Sequence, residues 1–311
     1  MTGDAQAVGP GLVGRITEHA RRRPGAVALV DARGELGYPE LVRRIEATAQ
    51  GLRRAGMTAG DTVLFAVRPG RDALVLGLAV LAVGAAVVVA DPGAGPELDA
   101  ARSQLVAQEL APPRWLAAES WLGALAARRA GRGLLRRIGL DLPALADPAL
   151  RLVHTGPRLP GLPADAVSAA ELARTAAVPA AAPVPVAPAG PAPADPDRPA
   201  LVVFTAGTTA RPRAVVHSRA TLLAGADLLA AALGLPTAPA PVVVHSEQLM
   251  IAFAFLAAGA TWSVAPLPVR PRRFVKDLRR RRATHTFGTP AAAARLLDVG
   301  GLPDTLGTVL L

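Results

Sequence analysis

Hydrophobic and polar positions along the chain follow two spacings, one typical of helices and one typical of buried strands. In residues 39–55 apolar side chains recur every three or four positions, as at Leu41, Ile45 and Leu52. Short β-branched runs such as residues 201–204 predict strands. Helical and strand segments alternate along the chain. We therefore predict an α/β fold with two lobes of mostly parallel sheet flanked by helices.

One uncharged run, residues 73–90, is long enough to cross a membrane. Gly84 divides it into an apolar segment with helical character (73–83) and a β-branched segment (85–89). A helix followed by a buried strand is typical of a covered α/β sheet. We therefore predict that arrangement, with a membrane span as the alternative.

The composition favours a cytoplasmic protein. The chain is 51% hydrophobic and 3% aromatic, and it has no cysteine, which excludes disulfides and thiolate metal sites and fits a reducing compartment. Residues 1–20 lack the charged start and apolar core of a signal peptide. The net charge of +10 comes almost wholly from arginine, since Lys276 is the one lysine. We attribute it to compositional bias rather than to nucleic-acid binding, because aromatic side chains that stack on bases are scarce.

A proline-rich segment separates the predicted lobes. Residues 178–199 contain eight prolines and almost no charge, which favours an extended, polyproline-like connector. We predict an N-terminal lobe over residues 1–177 and a second lobe over residues 200–311. Within the second lobe, residues 270–282 carry seven arginines and Lys276. We interpret them as a solvated helix face beside an anionic-ligand surface, with nucleic-acid or membrane binding as the alternative.

The candidate chemistry lies in residues 201–218. A strand-like run is followed by the small, hydroxyl-rich loop Thr205–Ala210 and then by Arg211 and Arg213. Main-chain N–H groups and threonine hydroxyls in such a loop can converge on phosphate oxygens. The Gly-Lys-Ser/Thr ending of a Walker A loop is absent. Ser218 is the predicted cap of the helix that follows. An ordinary strand-turn-helix connection is the alternative to a phosphate-binding loop.

The order of residues in this loop is more specific than its composition. Residues 205–215, TAGTTARPRAV, resemble the phosphate-binding signature of the adenylate-forming (AMP-binding) enzymes, the acyl-CoA synthetases and their relatives. Residues 36–41, 60–63 and 81–92 resemble scaffold segments of that family in the same order. Residues 284–290 resemble the strand and helix start that follow. The sequences of residues 91–93 and 287–290 are slightly more similar to the long-chain acyl members, including the β-lactone synthetases of olefin biosynthesis.

The resemblance implies an activity and a set of ligands. It implies that ATP and Mg²⁺ are used to activate a carboxylic acid, in the favoured reading a fatty acid, as an acyl adenylate that is transferred to CoA, a carrier-protein thiol or another acceptor. His245 lies in the region that lines the acyl or aryl pocket of the family, and a structural strand-end histidine is the alternative. The residues implied to bind the ATP phosphates are Thr205, Gly207, Thr208, Thr209, Arg211 and Arg213.

The chain also departs from the family pattern. The loop differs at Ala206, Ala210, Arg213 and Arg219. Three functional residues of the family belong to segments beyond the point that matches Leu311: the magnesium-binding glutamate, the ribose-binding aspartate and the adenylation lysine. Lys276 is at the wrong place in the sequence to be that lysine. We therefore expect no catalytic residue and no metal ligand in this chain, and no activity from the chain alone. The alternative function is a non-catalytic, degenerate nucleotide- or acyl-binding protein.

Overall fold

The computed structural model describes residues 11–89, 110, 112–137, 150–175, 195–205, 213–235 and 241–311. Its strands are β1 (Val27–Asp31), β2 (Gly34–Gly37), β3 (Thr62–Ala66), β4 (Ala86–Val89), β5 (Trp115–Glu119), β6 (Arg151–Thr155), β7 (Val167–Ser168), β8 (Pro199–Thr205), β9 (Arg213–Ser218), β10 (Val243–Ser246), β11 (Thr261–Val264), β12 (His285–Phe287) and β13 (Thr308–Leu310). Its helices are α1 (Leu12–Arg22), α2 (Tyr38–Arg54), α3 (Arg71–Val83), α4 (Ser120–Ala126), α5 (Arg129–Arg137), α6 (Ala169–Thr175), α7 (Arg219–Ala232), α8 (Leu249–Ala257), α9 (Pro271–Arg280) and α10 (Pro290–Val299).

The strands form two sheets, and both sheets are mostly parallel. The first sheet has the order β7-β6-β5-β3-β4-β8-β9, with β9 antiparallel to β8. The second has the order β13-β12-β10-β11-β1-β2, with β2 antiparallel to β1. The predicted fold class, mostly parallel sheets flanked by helices, is confirmed.

Residues 71–89 form the helix and strand that the sequence predicts. Leu74 and Leu78 of α3 are fully buried, and so is Val88 of β4. Gly84 separates the two elements with φ of +107°, in the left-handed region that glycine adopts readily. The run is therefore part of a covered sheet. Within the described parts of the chain, no helix is long and apolar enough to cross a membrane.

The core of the first sheet is built from one apolar side chain on each of five neighbouring strands. Leu64, Val88, Leu116, Leu152 and Val202 belong to a single cluster, and none of them is more than 1% exposed. Removing a side chain of this size from water contributes about 1.5–3 kcal/mol. This shared row stabilises β8, the strand that leads into the candidate loop, within the sheet.

Residue contacts divide the chain into two units that do not follow the predicted lobes. One unit contains residues 44–68 and 75–222, and the other contains residues 10–43, 69–74 and 223–311. β8 joins the sheet of the preceding strands through β4, with Val87 opposite Leu201, and β1 joins β11. Strand pairing thus links segments that are distant in sequence, and the division into lobes of residues 1–177 and 200–311 stays a prediction. Most of the predicted connector, residues 178–194, lies outside the described residues.

Candidate phosphate-binding site

The candidate loop connects two neighbouring antiparallel strands. β8 ends at Thr205 and β9 begins at Arg213, and these two residues are cross-strand partners. The intervening residues 206–212 lie outside the described residues, and they include Gly207, Thr208, Thr209 and Arg211. Of the six predicted phosphate-binding residues, the structure places the main chain of Thr205 and the whole of Arg213, and it brings these two together at the end of the hairpin from which the loop begins.

β8 ends at the carboxyl edge of the first sheet. It is parallel to β4, so Thr205 lies at the same edge as the ends of the parallel strands. The strand that follows β4 in the chain is β5, which lies on the β3 side of the pair β4–β8. The strand that follows β8 is β9, which lies on the other side of this pair. In open α/β sheets, ligands bind at the carboxyl edge where adjacent strands lead away in opposite directions. The pair β4–β8 is such a point.

The helix after the hairpin begins where the sequence predicts. The Ser218 hydroxyl accepts a hydrogen bond from the main-chain N–H of Thr221 at 3.2 Å, which confirms Ser218 as the N-cap of α7. α7 runs to Ala232, and Gly234 follows with φ of +62°. The cap fixes the direction in which the chain leaves β9.

Arg219 ties the start of α7 to the end of α3. Its guanidinium donates a hydrogen bond to the main-chain oxygen of Leu81 at 2.9 Å, and Arg53 donates to the next carbonyl, Ala82, at 2.6 Å. Burial, together with the nearby charge of Arg198, lowers the pKa of Arg219. Sequence reasoning assigned Arg219 no role. One feature of the sequence could have pointed to this contact. The last turn of α3 has no basic residue of its own to interact with the helix dipole.

His245 lies in β10 of the second sheet and is only 1% exposed. Its Nδ1 is 2.9 Å from the Ser263 hydroxyl on β11. Its ring packs against the ring of Phe274 on α9, with 4.6 Å between the two ring centroids. No described residue forms a hydrogen bond with its Nε2. Burial lowers the pKa of His245 to about 4, despite the opposing charge of Asp277. The side chain is therefore a neutral imidazole at pH 7 with one ring nitrogen free for a partner.

Polar groups on the neighbouring strands surround this histidine. The Thr286 hydroxyl of β12 donates to the main-chain oxygen of His245 at 2.8 Å. The indole N–H of Trp262 on β11 donates to the main-chain oxygen of Ser246 at 3.1 Å. These bonds cross three adjacent parallel strands, β12, β10 and β11, and hold His245 in a defined position.

Two further features bear on ligand binding. Among the residues that the structure describes, no group of three or more His, Asp or Glu side chains could hold a metal ion.

A pocket of about 410 Å³ is formed by α9 and the end of α10, and His245 does not line it. Lys276 does line this pocket, on the basic helix that the sequence predicts at residues 270–282.

A family model for AMP-binding enzymes matches residues 16–310. The chain belongs to this family. The resemblance of residues 205–215 to the family's phosphate-binding signature is thus part of a match that extends over nearly the whole chain.

Individual AMP-binding relatives are similar along most of this chain. The olefin β-lactone synthetase of Stenotrophomonas maltophilia is 28% identical over 311 residues, which cover 94% of this chain and 50% of that protein. The salicyl-AMP ligase / salicyl-S-ArCP synthetase of Mycobacterium tuberculosis is 29% identical over 322 residues, which cover 92% of this chain and 50% of that protein. The apo structure of Mycobacterium smegmatis MbtA shares the fold, with a TM-score of 0.67 and 22% identity over 96% of this chain and 51% of that one. This AMP-binding chain therefore spans about half the length of these relatives.

Proposed function

We propose that this chain supplies the phosphate-binding part of an enzyme that uses ATP to activate a carboxylic acid. The observation that carries the proposal is the position of Thr205, where β8 ends before the signature residues, at the carboxyl edge of a mostly parallel sheet and in a strand pair that leads away in opposite directions. Membership of the AMP-binding family supports the same assignment.

The proposed reaction has two steps. A carboxylate oxygen of the acid attacks the α-phosphorus of ATP, a new acyl–phosphate bond forms, and the bond to the β-phosphate breaks to release pyrophosphate. An acceptor thiol or hydroxyl then loses its proton to solvent and attacks the acyl carbon. The bond between the acyl carbon and the bridging oxygen breaks, and AMP leaves with the electrons of that bond. Both steps depend on holding the reactants in position and on neutralising negative charge.

The loop residues serve the first step. Main-chain N–H groups around Gly207 and the hydroxyls of Thr208 and Thr209 bind the departing pyrophosphate. Arg211 and Arg213 neutralise its charge, and Thr205 assists from the end of β8. The family implies that Mg²⁺ accompanies ATP, but the described residues contain no group of carboxylates or histidines suited to hold it. We assign no step of the reaction to the metal.

His245 is the proposed contact to the acid. A neutral imidazole with a buried, unpaired Nε2 can form one hydrogen bond to a substrate without an added charge. The bonds from Ser263 and Thr286 fix the position of the histidine. A polar contact held next to an aromatic side chain, here Phe274, suits a small-molecule site.

A fatty acid is the proposed substrate, and CoA or a carrier-protein thiol is the proposed acceptor. The similarity to an olefin β-lactone synthetase supports an acyl substrate, and the similarity to a salicyl-S-ArCP synthetase supports a carrier thiol. We further propose a cytoplasmic location for this chemistry. The absence of cysteine suits that location.

Exchange of labelled pyrophosphate into ATP tests the proposal. The protein as encoded by its gene, supplied with fatty and aryl acids in turn, should catalyse acid-dependent exchange. The double variant Thr208→Ala, Thr209→Ala should lower the rate at least about tenfold, because two hydroxyl donors to phosphate are lost. An unchanged rate would overturn the assignment of the loop. ATP binding without exchange would favour a non-catalytic binder, the function suggested by the four loop departures.

A further inference from the structure

We infer that the α9 pocket, defined by Arg272, Val275, Lys276, Arg279, Asp298, Val299 and Gly300, is a second binding site for a small phosphate-bearing molecule. The pocket lies between the outer face of α9 and the C-terminal end of α10, and its volume is about 410 Å³. None of its residues belongs to the β8–β9 loop, so the inference goes beyond the proposed function and does not depend on it.

Three cations face this pocket without a carboxylate partner. Elsewhere on α9, Asp277 pairs with Arg280 at 2.9 Å and with Arg273 at 3.8 Å, so those two arginines are neutralised within the helix. Arg272, Lys276 and Arg279 form no ion pair with any described residue. The two arginines that pair with Asp277 do not line the pocket, whereas the three cations without an ion pair do.

The spacing of these cations has an unfavourable effect on the free helix. Residues at i, i+4 and i+7 lie on one face, so Arg272, Lys276 and Arg279 repel one another. Arg272 also lies in the first turn, where the helix dipole disfavours positive charge and where this helix has no acidic residue. A bound anion would remove both effects. The cluster is therefore better explained by an anionic ligand than by helix stability.

Backbone shape next to the pocket brings the chain close to one of these cations. Gly300 and Gly301 follow α10 with φ of +69° and +66°, a conformation that side-chain-bearing residues rarely adopt. A Cβ on Gly301 would overlap with the guanidinium of Arg279. The glycine pair lets the main chain pass directly against Arg279, which limits the space into which this side chain can turn.

The lining indicates the chemical class of the ligand. Three cations and the carboxylate of Asp298 give a net formal charge of +2, which matches a phosphate or diphosphate group. The volume suits a small molecule rather than a polymer. Guanidinium groups bind phosphate oxygens in pairs of parallel hydrogen bonds, and Asp298 can accept a hydrogen bond from a hydroxyl on the same ligand.

Inorganic pyrophosphate is the probe, and it is titrated into protein that carries Thr208→Ala and Thr209→Ala so that the loop does not contribute. Calorimetry should detect binding at physiological salt. Arg272→Gln with Lys276→Gln should then weaken binding at least about tenfold, because two charge-assisted contacts are removed. The control, Arg270→Gln with Arg282→Gln, removes the same charge from the ends of the same helix but not from the pocket. It should change affinity by about twofold or less.

Three outcomes would overturn the inference. The first is an equal loss of pyrophosphate affinity in the pocket and control variants. The second is no pyrophosphate binding in the loop variant. The third is binding of phosphatidylglycerol vesicles without binding of pyrophosphate. The last outcome would assign α9 to a membrane surface. All four substituted side chains are exposed, so the variants should fold, and circular dichroism checks this. Failure of pyrophosphate exchange would count against the proposed function but would leave these results unaffected.

Discussion

The guanidinium of Arg219 donates a hydrogen bond to the main-chain oxygen of Leu81, which lies 138 residues earlier in the chain. The bond joins the residue after the β8–β9 hairpin to the last turn of α3, whose carbonyl oxygens have no partners within the helix. It therefore connects the segment that carries the candidate loop to the helix that precedes β4.

Replacing Arg219 by alanine should destabilise the protein. The change removes the bond and leaves the Leu81 carbonyl with the main-chain N–H of Gly84 as a remaining donor at 3.2 Å, so we expect a loss of about 1–2 kcal/mol in the free energy of unfolding. Urea unfolding followed by circular dichroism measures it. Arg22→Ala is the control, because Arg22 has a 74% exposed side chain paired with Glu18 on the same helix. It should change stability by less than about 0.5 kcal/mol. Equal losses in both variants would contradict a specific role for Arg219.

Tyr38→Phe should weaken the fold and also change its response to alkaline pH. The buried Tyr38 hydroxyl donates to the main-chain oxygen of Ala260 at 2.7 Å, and we expect a loss of about 1–2 kcal/mol without it. Burial raises the pKa of Tyr38 above its usual 10.0. The unfolded chain therefore loses this proton first, and stability should fall as pH rises above about 10. The phenylalanine variant should lack the part of this decrease in stability that comes from Tyr38. If the stability of the two proteins depends on pH in the same way above pH 10, Tyr38 does not contribute to the decrease.

His245 should make the fold sensitive to acid. Burial lowers the pKa of His245 to about 4, from 6.5 in the unfolded chain. Between these values the unfolded state binds a proton that the folded state does not bind, so stability should decrease as pH falls from 6.5 towards 4. At pH 5 the contribution is about 2 kcal/mol. Urea midpoints at pH 7 and pH 5 should therefore differ less in His245→Gln than in the unsubstituted protein. His154 and His285, whose pKa values burial also lowers, would remain in both proteins.

Two glycines in helices should respond in opposite ways to alanine. A Cβ on Gly51 of α2 would lie 2.7 Å from Cβ of Leu172 and 3.0 Å from its Cα, so α6 would have to move. We expect Gly51→Ala to cost about 1–2 kcal/mol after the gain in helix propensity. Gly225 of α7 has open space, so Gly225→Ala should stabilise by about 0.5–1 kcal/mol. Thermal unfolding of the two variants makes the comparison, and a stabilising Gly51→Ala would contradict the close packing of α2 on α6.

Arg213 should contribute to ATP binding through its charge. Arg213→Gln removes a cation next to the proposed phosphate site and should weaken ATP binding about tenfold. Arg213→Lys keeps the charge and restores the usual residue of the family signature, so it should stay within about threefold. Fluorescent-ATP titration gives both affinities. Equal effects of glutamine and lysine would indicate that the arginine acts through its shape rather than its charge.

Local patterns predicted most helices and strands, and non-local pairing decided the features that sequence reasoning missed. α2 and the α3–β4 pair follow from spacing and from one glycine, because neighbouring residues set those elements. The pairing of Leu29 with Trp262 depends on residues far apart in the chain, so it was not predictable from local patterns. The six loop residues and the substrate role of His245 stay predictions. The observed bond to Ser263 is compatible with either reading of His245.

The pairing of β1 with β11 also has a consequence for synthesis on the ribosome. β1 and β2 emerge early, but β11 follows roughly 230 residues later. At about 5–20 residues per second, this delay is on the order of ten seconds or more. An isolated two-stranded hairpin is marginally stable in water, and its unpaired edge can join other chains. The nascent protein therefore passes through a period in which β1 lacks its partner strand and presents an edge that other chains can join.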